Sequence, residues 1–284
     1  MPTLVTDRGI VHYEVYGRGR PVILLHGWLG SWALWRDTIE ELGKEFRTYA
    51  IDFYGYGDST EHTGDFSVSN HVELVNQFME KLGIVKAPLV GHSMGGTVSL
   101  AVAARYPEKV VKVAVIGSPI EGQSLNPLLK MVGYKGIAQL AYKTPFVLPI
   151  TIYLLTHLGS RNSGRIHRMV REDASKVSLN AFFQSIGTLR DTDLSDDLHD
   201  LEMPILGCYG KSDIIVSPKQ GKVLCDVAAT AREEWFSQSG HFPMMDEQEK
   251  FLKTLTEFLK QDVPTQARQQ SVQQRTPDAP VPST

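Results

Sequence analysis

Cysteine is almost absent. Cys208 and Cys225 are the only two in 284 residues, and neither sits in the paired spacing of a zinc site. A disulfide framework is thereby excluded, and both thiols read as reduced in a cytoplasmic chain. An excess of charge of one sign is missing too. With 29 Lys+Arg against 32 Asp+Glu, a formal net charge of -3 leaves no global basic footprint for nucleic acid. Met1 to Tyr16 lack a basic stretch followed by a continuous apolar run, so no secretory signal is expected. No internal repeat is visible. What the chain does have is 42% hydrophobic and 21% charged residues over a length that can bury a large core, too long for a disulfide- or metal-stapled miniprotein.

Two alternating segments, Leu4–Thr6 and Val11–Tyr16, flank Asp7-Arg8-Gly9 and predict an antiparallel hairpin. Then the pattern changes. Val22–His26, Thr48–Asp52, Ala87–Gly91, Val110–Ile116 and Pro204–Tyr209 are short apolar runs without alternation, as parallel strands covered on both faces require. Trp32–Leu42, Ser69–Leu82 and Met94–Tyr106 carry apolar residues at helical spacing, and Pro107 stops the last of them. This alternation predicts an α/β fold, a doubly wound open sheet that binds its ligands beyond the carboxyl ends of the strands.

The alternation lapses for about 80 residues between Pro119 and Leu201, too many for a crossover. An inserted helical lid over 119–198 is the expectation, with 1–118 and 199–262 forming the core. Leu125–Leu158 contains Lys130, Lys135 and Lys143 but no Asp or Glu. Lys143, Pro145 and Pro149 interrupt Ile137–Leu158, which argues against a membrane span. Helices lining an apolar pocket are the plain reading, and peripheral contact of the lid with a membrane surface is the sharper one. Val263–Thr284, with four Pro, five Gln and no aromatic residue, cannot bury enough surface to order itself and is expected to be a disordered tail.

Gly91-His92-Ser93-Met94-Gly95 falls where a buried run meets a helix. The G-x-S-x-G string alone is weak; its position gives it weight. A serine at a tight strand-to-helix turn has strained backbone angles that lift its Oγ over the sheet, and Gly91 and Gly95 let neighbouring backbone pass close by. The helix from Met94 also aims its N-terminal dipole at a developing oxyanion. Serine is a weak nucleophile and needs a base oriented by an acid. Asp213 follows the run Pro204–Tyr209 through Gly210-Lys211-Ser212, and His241 follows the short strand Glu233–Phe236 and Ser237–Gly240. A lone histidine among nine would carry no weight. The order Ser93, Asp213, His241 does.

Taken together these strings resemble the α/β-hydrolase superfamily, specifically its lidded serine esterases and ring-cleavage-product hydrolases, over Val11–Lys260. His26-Gly27-Trp28-Leu29-Gly30 is similar to the family's loop after the third strand, and Asp52-Phe53-Tyr54-Gly55-Tyr56-Gly57-Asp58-Ser59 to its D-x-x-G-x-G-x-S loop. Gly210-Lys211-Ser212-Asp213 and Gly240-His241-Phe242-Pro243 are similar to its acid and histidine loops. The resemblance implies a mostly parallel sheet with an N-terminal antiparallel hairpin and a helical lid, a triad of Ser93, Asp213 and His241, and no metal or organic cofactor. It further implies an oxyanion hole formed by the backbone N–H groups of Trp28 and Met94, and structural roles for His26 and His92. The Trp28 ring has two readings, pocket mouth or packing. Tyr54 and Tyr56 depart from the small or charged residues often seen in their loop. Ser118 could line the pocket but has no assigned partner. His241 and Asp246 also spell the H-x-x-x-x-D string of certain acyltransferases, but Asp246 with Glu249 reads better as a capping box on a final helix from about Asp246 to Leu259.

The expected reaction is hydrolysis of a carboxylic ester through an acyl-enzyme. An aliphatic, acid-free lid points to a lipophilic substrate such as a lipid or isoprenoid-alcohol ester. Serine at the elbow argues against dehalogenases and epoxide hydrolases of this fold. The alternatives on the same triad are a ligand receptor or scaffold with slow turnover, a cofactor-free oxygenase or haloperoxidase-like enzyme, and an acyltransferase.

Overall fold

The apolar runs that lack alternation are strands whose two faces feed two different cores. In β3 (Pro21–Leu25), Ile23 and Leu25 join one buried cluster while Val22 and Leu24 join the other. β7 (Val110–Ile116) divides in the same way, Val113 and Val115 against Ala114 and Ile116. Both faces are covered, so apart from Lys112 in β7 these two strands carry no polar side chain.

The computed structural model describes residues 2–132, 153, 160 and 162–262. Most of the lysine-bearing stretch expected to line the lid, Lys135 and Lys143 included, and the expected tail Val263–Thr284 lie outside the described residues. Among those described, β1 (Thr3–Val5), β2 (Gly9–Gly17), β4 (Arg47–Ile51), β6 (Ala87–His92), β8 (Ile205–Gly210) and β9 (Ala231–Phe236) join β3 and β7 in the order β1-β2-β4-β3-β6-β7-β8-β9. A two-residue strand, β5 (Thr60–Glu61), pairs with β2. β1, β2 and β4 are antiparallel to their neighbours along the hairpin edge; every pairing from β4 to β9 is parallel. The carboxyl ends of β3, β4, β6, β7, β8 and β9 therefore share one edge of the sheet.

Helices cover both faces. α2 (Val68–Lys81) buries Val68, Val72, Val75 and Met79 at three- and four-residue spacing, and its first turn is capped by the Ser67 hydroxyl, which accepts from Asn70 N at 3.2 Å. α3 (Met94–Arg105) lies beside it, buried on most of its surface. The other face carries a 3₁₀ turn, Trp32–Trp35, running into α1 (Arg36–Leu42), and α9 (Gln248–Lys260), which contributes Phe251, Leu255, Phe258 and Leu259. Cys225 lies in a helix-like stretch of the sequence, and α7 (Gln220–Val227) forms there between β8 and β9, burying only Gln220, Gly221 and Leu224.

The insertion leaves and rejoins the core at one place. Gly122 N donates to Thr192 O at 2.7 Å and Leu194 N to Ile120 O at 3.1 Å, so the outgoing and returning chains run side by side. Between them come α4 (Pro127–Val132), α5 (Ser163–Ala174) and α6 (Leu179–Asp191). Ile166, Val170 and Phe182 from α5 and α6 close over Leu29 in a third buried cluster, at the carboxyl edge of the sheet. No helix among the described residues is long and apolar enough to cross a membrane.

Candidate active site

β6 ends at His92, and Ser93 turns the chain into α3 with φ 51° and ψ -119°. Only two non-glycine residues among those described have positive φ, Leu29 and Ser93. The turn is held by Ser93 N donating to Ile116 O at 2.8 Å and by the Ser93 carbonyl accepting from Gly96 N and Thr97 N. Gly91 and Gly95 are required by contact. A Cβ on Gly91 would strike the Gly95 carbonyl, and one on Gly95 the Leu25 carbonyl, so the elbow packs against its own helix and against β3.

Asp213 stands three residues beyond β8. Its Oδ1 accepts from Ile215 N at 2.8 Å and Val216 N at 3.0 Å, which fixes the carboxylate, and its Oδ2 accepts from His241 Nδ1 at 2.7 Å. His241, five residues beyond β9, is 4% exposed. With Nδ1–H donated to Asp213, Nε2 carries the free lone pair. Two contacts bring this pair to Ser93. His92, the neighbour of Ser93, donates from Nε2 to the His241 carbonyl at 2.9 Å, and the two rings lie 4.7 Å apart. Gly117, at the end of β7 and hydrogen-bonded to β8, passes beneath; a Cβ there would lie 3.1 Å from His241 Nδ1 and 3.3 Å from Asp213 Oδ2.

The loop after β3 lies against the elbow. A Cβ on Gly27 would be 3.1 Å from Ser93 Cβ and 2.7 Å from His92 Nδ1. His26 donates from Nδ1 to Gly27 O at 2.7 Å and accepts Phe53 N on Nε2 at 3.0 Å, so both ring nitrogens serve the loop. Burial holds the pKa of His26 low and that of His92 well below the usual imidazole range, so neither ring readily takes up a proton. The backbone N–H groups of Trp28 and Met94 have no acceptor among the described residues. The Trp28 side chain faces α6: its indole N–H donates to Phe182 O at 2.9 Å and its ring lies 4.5 Å from that of Phe182.

Other sequence-noted residues serve structure. Asp52 accepts from Trp32 N, Asp58 N and His12 Nδ1, and Ser59 Oγ donates to the Asp52 carbonyl, so the D-x-x-G-x-G-x-S loop is a closed hydrogen-bonded unit. His12, Asp52 and Asp58 each place one ligand-type atom within 4.8 Å of the others, but both Asp52 oxygens already accept hydrogen bonds and Asp58 is paired with Lys176. Ser118 is fully buried; its hydroxyl turns back to the Ile116 carbonyl at 3.2 Å. Cys208 is buried in β8, its thiol pKa pushed up to about 12, and neither cysteine is disulfide-bonded.

The capping box at Asp246 does not form. Pro243 starts a separate short helix, α8 (Pro243–Asp246), which places Asp246 at its end; the cap of α9 is Glu247, without a side-chain bond. The Asp246 carboxylate instead accepts from Gly240 N at 3.1 Å beside the histidine, and from Ser160 Oγ and Asn162 N at the foot of α5. Sequence reasoning also gave no role to Gly117, Asp173 and Phe182, because their partners lie far away in the chain.

The α/beta hydrolase fold family model matches residues 20–143. The pimeloyl-[acyl-carrier protein] methyl ester esterase of Vibrio campbellii is 30% identical over 261 residues, 87% of this chain and 98% of that one. The enzyme of the same name from Aliivibrio fischeri is 25% identical over 262 residues, 88% and 98% of the two chains. Among solved structures, an esterase from Exiguobacterium antarcticum superposes with a TM-score of 0.79 at 23% identity, covering 89% of this chain and 96% of that one. The enol-lactonase from Burkholderia xenovorans LB400 gives 0.77 at 22%, covering 92% and 100%. On sequence and architecture alike, the chain belongs to the alpha/beta hydrolase fold family.

Proposed function

We propose that the protein is a serine esterase in which Ser93 is the nucleophile, His241 the base and Asp213 the residue that orients it. The observation that carries this reading is the buried 2.7 Å contact between His241 and Asp213, tied through His92 to a strained serine. His241 Nε2 takes the Ser93 proton as Oγ attacks the ester carbonyl, and the oxyanion is held by the N–H groups of Trp28 and Met94. His241 returns the proton to the departing alkoxide. Water then attacks the acyl-enzyme by the same route.

The segment 119–198 acts as a lid in this reading, since α5 and α6 cover the loop that carries Trp28. Leu29, Ile166, Val170 and Phe182 make that cover apolar, which favours an ester with a lipophilic part. A methyl ester on an acyl chain, as in the pimeloyl-[acyl-carrier protein] methyl ester named for the relatives, meets this requirement with a small leaving group. Turnover of methyl esters of increasing acyl length by wild-type protein and S93A tests both levels. S93A is expected to lose about 10³-fold or more in kcat, and kcat/KM to rise with chain length. An S93A protein that turns over at close to the wild-type rate would remove the mechanism. A preference for acetyl over long chains would remove the lipophilic substrate.

A further inference from the structure

We propose that Asp173 is a positioning residue for the oxyanion loop: from α5 it holds Ser31, and so makes the setting of the Trp28 N–H depend on the lid helix lying in place. This rests on the esterase reading above.

The loop from His26 to Ser31 is strained and is held from above. Leu29 has φ 57°, a left-handed conformation that a γ-branched side chain does not choose by itself. Three ties run from this loop to the lid helices: the Trp28 indole N–H to Phe182 O, Leu29 packed with Ile166, Val170 and Phe182, and the Ser31 hydroxyl donating to Asp173 Oδ1 at 2.8 Å. Ser31 is also the cap of the Trp32–Trp35 turn, where its Oγ accepts Ala33 N. Pulling on Ser31 therefore moves the end of the oxyanion loop and the start of the next element together.

Asp173 is an expensive residue to use as a structural tie alone. It is 6% exposed, and its Oδ2 has no hydrogen-bond partner. The charged groups facing it are Asp52 at the end of β4 and Glu172 and Lys176 on its own segment; burial, with Asp52 adding to it, pushes its pKa up to about 6. A hydroxyl contact at the same place needs no carboxyl. At the other end of α5, Asp246 joins Asn162 to Gly240, the residue before His241. The helix thus spans from the histidine loop to the oxyanion loop, and Asp173 is its grip on the second.

The test compares wild type, D173A, D173N and S31A in hydrolysis of 4-nitrophenyl butyrate, with active sites counted by fluorophosphonate titration and folding checked by thermal melting. An oxyanion donor acts in the transition state, so its misplacement lowers kcat and leaves KM nearly unchanged. D173A and S31A are each expected to lose about 10-fold in kcat per titrated site, a fraction of the loss on deleting a donor outright, with KM changed less than about 3-fold. Asn keeps an acceptor for Ser31, so D173N should recover most of the lost kcat. The double variant S31A/D173A should lose no more than either single one. Unchanged kcat per site in D173A, or in S31A where D173A does not fold, overturns the inference even if melting temperatures fall. Wild-type protein that hydrolyses no ester and takes no label overturns the esterase reading, and this inference with it.

Discussion

Ser93 holds a backbone conformation that costs about 1–3 kcal/mol for a residue with a β-carbon, and β6, α3 and the Ile116 carbonyl hold it there. Gly117 solves the opposite problem, with φ +55° and no side chain, so that the His241–Asp213 pair can lie directly on its backbone. G117A is expected to lower kcat about 10-fold or more, because its Cβ would push on His241 Nδ1, and to cost about 1 kcal/mol for the backbone alone. Single-turnover acylation with a chromogenic ester, beside a urea melt, checks both; an unchanged acylation rate would mean the pair is not seated on Gly117. That Ser93, Asp213 and His241 come to one edge of the sheet is readable in the sequence, because each lies at or a few residues past a strand end and strand ends in a parallel sheet share an edge. The roles of Gly117 and Asp173 are not, since they come from contacts with residues about 100 positions or more away.

At the scale of elements, α9 ends on a lysine from a strand in the middle of the sheet. Lys112 in β7 is 2% exposed, and its ammonium donates to the carbonyls of Phe258 at 2.7 Å and of Gln261, while lying 5.2 Å from the Phe258 ring. The last carbonyls of a helix lack partners within it, and a cation there satisfies both their hydrogen bonds and their charge. K112M keeps the aliphatic stem and removes the donor. It is expected to cost about 1–3 kcal/mol in urea unfolding with kcat unchanged, since Lys112 lies at the end of the sheet away from Ser93. A loss below 0.5 kcal/mol, to order of magnitude, would mean the carbonyls find other partners. Strand and helix positions were readable from apolar runs and helical spacing, whereas the start of the last helix was not. Asp246 and Glu249 have the right spacing for a cap, but Pro243 opens an earlier turn and the Asp246 carboxylate goes to Gly240, Ser160 and Asn162 instead.

Over the whole molecule, acid sensitivity follows from the histidines buried without charge. His26, His71 and His92 all have pKa values lowered by burial, His71 to about 3, and neither His71 ring nitrogen has a hydrogen-bond partner. The unfolded chain binds protons on these groups below about pH 6.5 while the folded one does not, so their contribution to stability is present above that pH and lost as pH falls. His12, raised by Asp52, and Asp173, raised by burial, act in the opposite direction, their contributions being greatest in acid and lost as pH rises. H71L isolates one of these groups: relative to wild type it should gain about 1.4 kcal/mol for each pH unit below 6.5, read from urea melts between pH 7 and 4.5. Parallel curves would mean that His71 is protonated in the fold. The sheet, the insertion and three residues at one edge of the sheet converge on a single claim, that Ser93 becomes acylated. The most direct test is fluorophosphonate labelling of the intact protein followed by mass spectrometry of its peptides. One adduct on the Ser93 peptide, absent in S93A and much slower to form in H241A, is the predicted result; ester turnover without an adduct there, or with the adduct on another residue, would contradict it.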